Sequence, residues 1–257
     1  MASLCIGAGT ITCAPGLVLA EPPPPAPTID VAADSVPAAG WFHVTGPSLP
    51  AGTSIVRYRN LARSSQVGLA YHGAGPLDLW FRAPGLPGQR LTIAVEALDG
   101  FARPIATVGL VRVTTGDDML PVPPNSGIGR RMVIDSDAQQ VWLVEADGRV
   151  ADTFLMSGRR IRTSSGADQH GVFRVYSRSS VMRYCSPRCG TANHMVRYQR
   201  TAIASVGTHS LPSEGGRQVQ GVEDLGWPLS HGCTRLEASK ARLVFGWAGL
   251  GTTVVVL

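Results

Sequence analysis

The first 116 residues carry short runs of apolar residues that recur at short intervals, with Gly or Pro turns between them. Regular spacing of this kind predicts an antiparallel β-sandwich. Six strands are predicted, at residues 29–31, 41–44, 54–58, 77–81, 91–95 and 108–113. Because residues 28–116 contain no Cys, we expect Trp41, Trp80 and the aliphatic side chains to hold the core.

The second half of the chain has a different pattern. Asp147-Gly148 lies between two alternating runs, which predicts a β-hairpin whose two central residues both need positive φ. Residues 237–248 have helical periodicity and end at Gly249 and Gly251, as helices commonly do. A β-branched stretch at residues 252–257 predicts a terminal strand.

These patterns divide the chain into four segments. Residues 1–27 form an apolar N-terminal segment with a proline-rich linker, and 28–116 form a β-sandwich of the immunoglobulin-like type. Residues 117–128, which include three prolines, form a second linker. Residues 129–257 form a β-rich domain with one C-terminal helix, so the whole chain is predicted to be mainly β. We expect a chain that begins near Gly129 to fold alone.

Composition narrows the class of partner. The 257 residues are 44% hydrophobic and 16% charged, which indicates a globular protein rather than a disordered one. A net charge of +5 would favour an anionic polymer. The positive charge is carried by scattered Arg residues, with Lys240 as the only lysine, and no basic patch contains interleaved aromatics. Nucleic acid is therefore disfavoured; an anionic cell wall and a simple coding bias towards Arg both remain open.

Residues 4–20 form an apolar stretch that ends in Val-Leu-Ala, the kind of small-residue end that a signal peptidase needs. No Lys or Arg precedes Arg57, so the positive start of a secretory signal is missing. Cys13 offers lipidation as an alternative, although the residues before it make a poor lipidation motif. We expect an exported protein, periplasmic or attached to the cell wall, and leave N-terminal membrane attachment open.

The motif Ser230-His231-Gly232-Cys233-Thr234-Arg235 carries the candidate chemistry. A thiol is a good nucleophile only as thiolate, so it needs a base within hydrogen-bonding reach. His209, a short polar loop upstream, is the natural base, and the pair would transfer acyl groups through a thioester. Taken singly, a Cys and a His are more often structural residues.

The joint pattern resembles the signature of the L,D-transpeptidase catalytic domain of the YkuD type. The stretches 131–149 and 154–175 also resemble the opening hairpin and the following segment of that domain, and the resemblance covers residues 129–257. Residues 164–171 depart from the Thr-Pro-x-Gly that is usual there. The N-terminal sandwich suits an actinobacterial-style member.

This resemblance implies the roles of the site residues. Cys233 is the nucleophile, His209 is the base, and the Ser210 backbone carbonyl orients the imidazole. The backbone N–H groups of His231, Gly232 and Cys233 hold the oxyanion. Ser230 and Arg235 support the site or face the substrate.

The resemblance also implies the partners. A donor tetrapeptide stem would be joined to a diamino-acid acceptor, with no cofactor and no metal, and carbapenems would be inhibitors. Two rival functions stay open. One is an L,D-carboxypeptidase or other hydrolase that uses the same thioester. The other is a non-catalytic protein that binds the cell wall.

Cys185 and Cys189 are spaced so that a disulfide can join them, which is the favoured interpretation in an exported protein. The alternative is that both begin a zinc site with His194, but a fourth ligand at regular spacing is absent. Either arrangement leaves Cys233 unpaired, as a reactive thiol requires.

Overall fold

The computed structural model describes residues 30–31, 35–36, 40–71, 75–159, 170–185, 188–201 and 204–257. Within these ranges the chain forms four β-sheets and one α-helix near the C-terminus. The prediction of a mainly β protein is confirmed. The apolar segment, the proline-rich stretch and Cys13, on which the export prediction depends, lie outside the described residues. No described helix is long and apolar enough to cross a membrane.

The N-terminal half forms two sheets on one hydrophobic core. Its strands are β1 (Asp30–Val31), β2 (Ser35–Val36), β3 (Trp41–Ser48), β4 (Ile55–Asn60), β5 (Val67–Tyr71), β6 (Pro76–Arg82), β7 (Arg90–Leu98) and β8 (Pro104–Thr115). The sheets have the orders β1-β3-β6 and β2-β8-β7-β4-β5. The first sheet contributes Phe42 and Phe81 to the core, and the second contributes Ile93 and Val111. Strand β5 was not predicted from the sequence.

The core of this half is held by phenylalanines rather than by Trp80. Successive side chains of a strand point to opposite faces. Since Leu77 and Phe81 of β6 are buried, Trp80 points outward; it is 59% exposed and stacks on the ring of His43. The prediction that Trp80 lies in the core is wrong, and the side chain of Trp41 lies outside the described residues.

The second half contains two larger sheets and the helix. Its strands are β9 (Arg131–Asp135), β10 (Gln140–Val144), β11 (Val150–Leu155), β12 (Gly171–Arg174), β13 (Ser177–Cys185), β14 (Cys189–Arg200), β15 (Ser205–Ser210), β16 (Ser213–Glu214), β17 (Arg217–Gln218), β18 (Thr234–Leu236) and β19 (Thr253–Val256), and the helix is α1 (Ala238–Trp247). One sheet has the order β11-β10-β9-β19-β12. The other has the order β17-β16-β14-β15-β18, with β13 paired to β14.

Both sheets and α1 share a second core. Ala241 and Val244 of α1 are buried in it, together with Val206 of β15 and Leu236 of β18. Close-packed core side chains therefore hold β15 and β18 in place and permit little displacement. These two strands carry the candidate site.

The hairpin predicted at Asp147-Gly148 forms between β10 and β11, but with a different turn. Gly148 has a φ of +88°, whereas Asp147 has no positive φ. The Gly148 N–H donates to the Glu145 carbonyl, and the Glu145 N–H donates to the Arg149 carbonyl. This is a type I turn followed by a left-handed glycine, so Gly148 alone adopts the conformation that the sequence analysis assigned to both residues.

The connection at residues 117–128 packs against the second half of the chain. Leu120 and Val122 lie on a small apolar cluster that contains Trp142. The Leu120 carbonyl accepts hydrogen bonds from Trp142 Nε1 at 2.9 Å and from Gln140 Nε2 at 3.0 Å. Apolar and polar contacts thus fix this segment in place.

Candidate active site

The predicted base lies on β15, and the predicted nucleophile lies directly before the neighbouring parallel strand β18. Strands β15 and β18 pair with Thr208 opposite Thr234 and His209 opposite Arg235. Thr208 and Thr234 point into the core, where both are buried. Because side chains alternate along a strand, His209 and Cys233 share the other face of the sheet.

Gly207 lies next to the thiol and has no room for a side chain. A Cβ at this position would lie 2.2 Å from the Val196 carbonyl oxygen, so only glycine fits. The Cys233 sulfur lies beside this backbone, with Sγ 3.8 Å from the Ser205 carbonyl oxygen. The sulfur therefore lies against the backbone of β15, on the strand that also carries His209.

The His209 imidazole is held by a backbone carbonyl. Its Nδ1 lies 2.6 Å from the Ser210 carbonyl oxygen. A carbonyl only accepts hydrogen bonds, so Nδ1 carries the proton and Nε2 keeps a free lone pair. Burial lowers the pKa of His209 to about 4; the Ser210 hydrogen bond opposes this shift, and the charges of Arg235 and Arg197 add to it. At neutral pH the imidazole is an uncharged base.

The Cys233 thiol is also uncharged at rest. Burial raises its pKa, while a backbone hydrogen bond from Gly207 and the charges of Arg235 and Arg197 oppose that shift. The free site therefore favours a neutral thiol beside a neutral imidazole, not a thiolate–imidazolium pair. Such an arrangement would allow the thiol proton to pass to the imidazole during attack by the sulfur.

The turn that leads into Cys233 is fixed by Ser230. This residue is buried, and its N–H donates to the Gly158 carbonyl at 2.7 Å. Ser230 Oγ accepts a hydrogen bond from the Gly232 N–H at 3.2 Å. The Gly232 N–H is thus engaged within the turn, which leaves the N–H groups of His231 and Cys233 as the remaining predicted oxyanion donors. The side chain of His231 is exposed.

The Arg235 guanidinium is hydrogen-bonded to the loop that precedes the motif. Its Nη1 donates to Gln220 Oε1 at 2.9 Å and to the Leu229 carbonyl at 3.3 Å. The guanidinium therefore supports the loop that precedes the motif, while its charge acts on both His209 and Cys233. Both functions agree with a supporting role for this residue.

Two residues at the site were missed by the sequence analysis. Arg197 of β14 pairs with Gly207 across the sheet, on the same face as Cys233. Gln220 is 4% exposed, and its Nε2 has no partner among the described residues. Neither residue belongs to a local motif, so no signal in the sequence pointed to them.

Cys185 and Cys189 are joined by a disulfide, which closes the turn between β13 and β14. Tyr184 next to it lies within electrostatic reach of Arg235, so this end of the hairpin borders the site. No group of three or more potential metal-ligating side chains occurs within the described ranges.

We expect a variant with both Cys185→Ser and Cys189→Ser to be destabilised by about 2 kcal/mol, because opening this short loop restores conformational freedom to the unfolded chain. Denaturant unfolding measures the effect. Alkylation of the untreated protein should leave Cys185 and Cys189 unmodified; finding both as free thiols in protein from an oxidising compartment would contradict the pairing.

A buried imidazole oriented by a carbonyl, beside a thiol on the adjacent strand, is typical of enzymes that transfer acyl groups through a cysteine. Residues 129–256, about half of the chain, match the family model for the L,D-transpeptidase catalytic domain, YkuD. The chain belongs to this family and carries an L,D-transpeptidase-type catalytic domain.

Solved structures of this family resemble the chain. An L,D-transpeptidase from Stackebrandtia nassauensis is 18% identical over 50% of this chain and 55% of its own, with a TM-score of 0.37. One from Xylanimonas cellulosilytica is 21% identical over 52% of this chain and 63% of its own, with a TM-score of 0.40. The L,D-transpeptidase LdtMt1, solved in complex with imipenem, is 18% identical over 91% and 100%, with a TM-score of 0.41.

The chain therefore spans between half and two thirds of the length of the first two of these proteins. Membership of the family follows from the match to residues 129–256. No curated protein matches the chain.

Proposed function

We propose that this protein is a peptidoglycan L,D-transpeptidase that cross-links stem peptides through a thioester on Cys233. The observation that carries the proposal is the 2.6 Å contact between His209 Nδ1 and the Ser210 carbonyl. This contact leaves Nε2 as a base on the face of the sheet that also carries the thiol. Membership of the YkuD family supplies the substrate class.

In the first half-reaction, the Cys233 sulfur attacks the carbonyl of the third residue of a donor stem peptide. His209 Nε2 takes the thiol proton as the new C–S bond forms. The carbonyl oxygen becomes an oxyanion, which the N–H groups of His231 and Cys233 stabilise; losing such a donor typically costs about 3 to 4 kcal/mol. When the intermediate collapses, His209 returns the proton to the departing amine of the terminal D-alanine.

In the second half-reaction, the side-chain amine of a diamino acid on another stem attacks the thioester. His209 accepts a proton from this amine, the new amide bond forms, and the C–S bond breaks. The proton then returns to the Cys233 sulfur. The product is a cross-link between two third residues, and the site is left as it began.

The neutral resting pair suits both half-reactions. A base with a pKa near 4 is free to accept a proton throughout the neutral range. Because the charges of Arg235 and Arg197 lie close by, they favour the thiolate at the moment when it forms. The Cys233 thiol therefore keeps its proton at rest and gives it to His209 when the sulfur attacks.

The wider setting follows from the same proposal. We propose that the protein is exported to the cell wall, and the Cys185–Cys189 disulfide suits an oxidising compartment. The net charge of +5 favours an anionic wall polymer. Carbapenems should acylate Cys233 as substrate analogues.

Two measurements test the proposal. After incubation with a carbapenem, we expect the intact mass to rise by one whole carbapenem, because ring opening expels no group, and peptide mapping should place the adduct on Cys233. A tetrapeptide donor should then give a cross-linked product when an amine acceptor is present. Tripeptide formed at the same rate with and without acceptor would indicate a hydrolase instead. Absence of any acylation at Cys233 would favour the non-catalytic alternative.

A further inference from the structure

The ten residues before the catalytic motif, numbers 220–229, form a loop that contains one short 3₁₀ turn, Val222–Asp224. We refer to it as the 220–229 loop. From the catalytic half, Ser157 Oγ donates to the Trp227 carbonyl at 2.7 Å and accepts from the Leu229 N–H at 3.2 Å. The end of the loop is thereby tied to the strand segment that also pairs with Arg235.

The N-terminal half holds the same loop through a buried amide. Gln66 is 1% exposed, and its Nε2 donates to the Glu223 carbonyl at 2.7 Å and to Asp224 Oδ1 at 2.9 Å. Its Oε1 accepts from Asn60 Nδ2 at 2.6 Å. Asp224 Oδ2 in turn accepts from the Gly221 N–H at 3.0 Å. One side chain of the N-terminal half thus connects strand β4 with the 3₁₀ turn of the loop.

Apolar contacts join the same two parts. Trp227 and Leu229 are buried in the core of the N-terminal sheets, and the Trp227 ring lies near that of Tyr58. Gly226 has a φ of +83°, and a Cβ there would lie 2.6 Å from the Gly85 backbone nitrogen. The loop therefore packs as part of the N-terminal half while its end carries the catalytic turn.

These contacts have an energetic consequence. Ordering a backbone costs conformational entropy at every residue, and the loop has few strand pairings of its own to offset that cost. Without Gln66, the Glu223 carbonyl and Asp224 each lose a buried donor, and Asp224 keeps the Gly221 N–H at 3.0 Å and Arg63 Nε at 3.3 Å. A chain beginning near Gly129, which the sequence analysis expects to fold alone, would expose Trp227 and Leu229 and lack the Gln66 contacts, and that expectation stays a prediction.

We infer that the N-terminal half supports the active site and that Gln66 is a positioning residue. Gln66 holds the 220–229 loop so that the Ser230–Cys233 turn lies beside His209. The inference rests on the proposed function. Gln66 contacts no reacting atom. It acts through Asp224 and the loop, and displacements of about 1 Å far from the chemistry can slow a reaction about 100-fold.

The test compares Gln66→Met, which keeps most of the side-chain volume but loses the hydrogen bonds, with the control Thr53→Val. Thr53 is also buried in the N-terminal half, but its hydroxyl bonds to the Pro50 carbonyl. Acylation of full-length protein by a carbapenem is measured well below both melting temperatures. We expect Gln66→Met to lower the limiting rate constant of acylation between about 10- and 100-fold. The carbapenem concentration that gives half of the limiting rate should change less than about twofold.

Amide hydrogen exchange across residues 220–233 should be faster in Gln66→Met and unchanged in Thr53→Val. A folded Gln66→Met protein that acylates at the wild-type rate, or equal losses in both variants, would overturn the inference. If wild-type protein is not acylated at all, the proposed function fails, while hydrogen exchange and the rate of Cys233 alkylation by iodoacetamide still decide the inference.

Discussion

Replacing Cys233 with Ala should abolish acylation by a carbapenem and all formation of cross-linked product. The thioester route needs this sulfur, and no other described thiol is free. Removing a catalytic nucleophile costs roughly 10⁴-fold or more in turnover. Intact mass spectrometry measures the adduct, and product analysis with a tetrapeptide donor and an amine acceptor measures turnover.

The matched control is the variant in which Ala replaces both Cys185 and Cys189. It removes two sulfurs near the site but keeps Cys233, so its adduct should form and map to Cys233. Circular dichroism and a melting curve should show that Cys233→Ala remains folded, since the substitution removes one partly exposed atom. Measurable cross-linking by Cys233→Ala would rule out the proposed nucleophile.

Replacing His209 with Ala should slow acylation of Cys233 by roughly 10² to 10⁴-fold near pH 7, the range typical for loss of a positioned base. In the wild-type site the neutral imidazole accepts the thiol proton, because its pKa lies near 4. In the variant, attack must wait for the small fraction of thiolate, which burial of Cys233 makes smaller still. The acylation rate constant measures the effect.

The pH dependence of the acylation rate distinguishes a role of His209 as base from a purely structural role. Raising the pH should recover part of the loss in His209→Ala, because hydroxide then deprotonates Cys233 directly. The wild-type rate should stay level across the neutral range and fall only as pH drops towards the lowered pKa of His209, about 4, where the base becomes protonated.

His231→Ala is the matched control, because this imidazole is exposed and belongs to the same motif. Its defect, if the residue only shapes the turn, should not recover at high pH. Recovery of His231→Ala together with none for His209→Ala would reverse the assignment of the base. Melting curves for both variants show whether the loss of a buried imidazole has affected the fold.

Local patterns predicted those elements whose signals lie within a few residues. The helix expected at 237–248 is α1 (Ala238–Trp247), and the β-branched end forms β19 (Thr253–Val256). The long hairpin of β13 and β14 was not predicted, because its exposed polar residues and Arg residues give no clear alternation. Trp80 was placed on the wrong side of its strand, because only the partner sheet decides which of two faces is buried.

The candidate site divides in the same way. Cys233, His209 and Ser210 were proposed from a motif and a resemblance, because their chemistry depends on residue types at short spacing. Arg197, Gln220 and Gln66 were not found. Each reaches the site through strand pairing or packing between segments far apart in the chain, and one sequence holds no record of such contacts.

The sequence by itself therefore determined the β-rich class, the C-terminal helix and the residues that carry the proposed chemistry. Only the tertiary structure decided that His209 and Cys233 are both uncharged at rest, since a pKa depends on burial and on charges brought close by folding. Burial lowers the pKa of His209 and raises that of Cys233, and the charges of Arg235 and Arg197 lower both. The tertiary structure also decided that the N-terminal half holds the 220–229 loop, because contacts such as that of Gln66 with Asp224 join residues 158 positions apart.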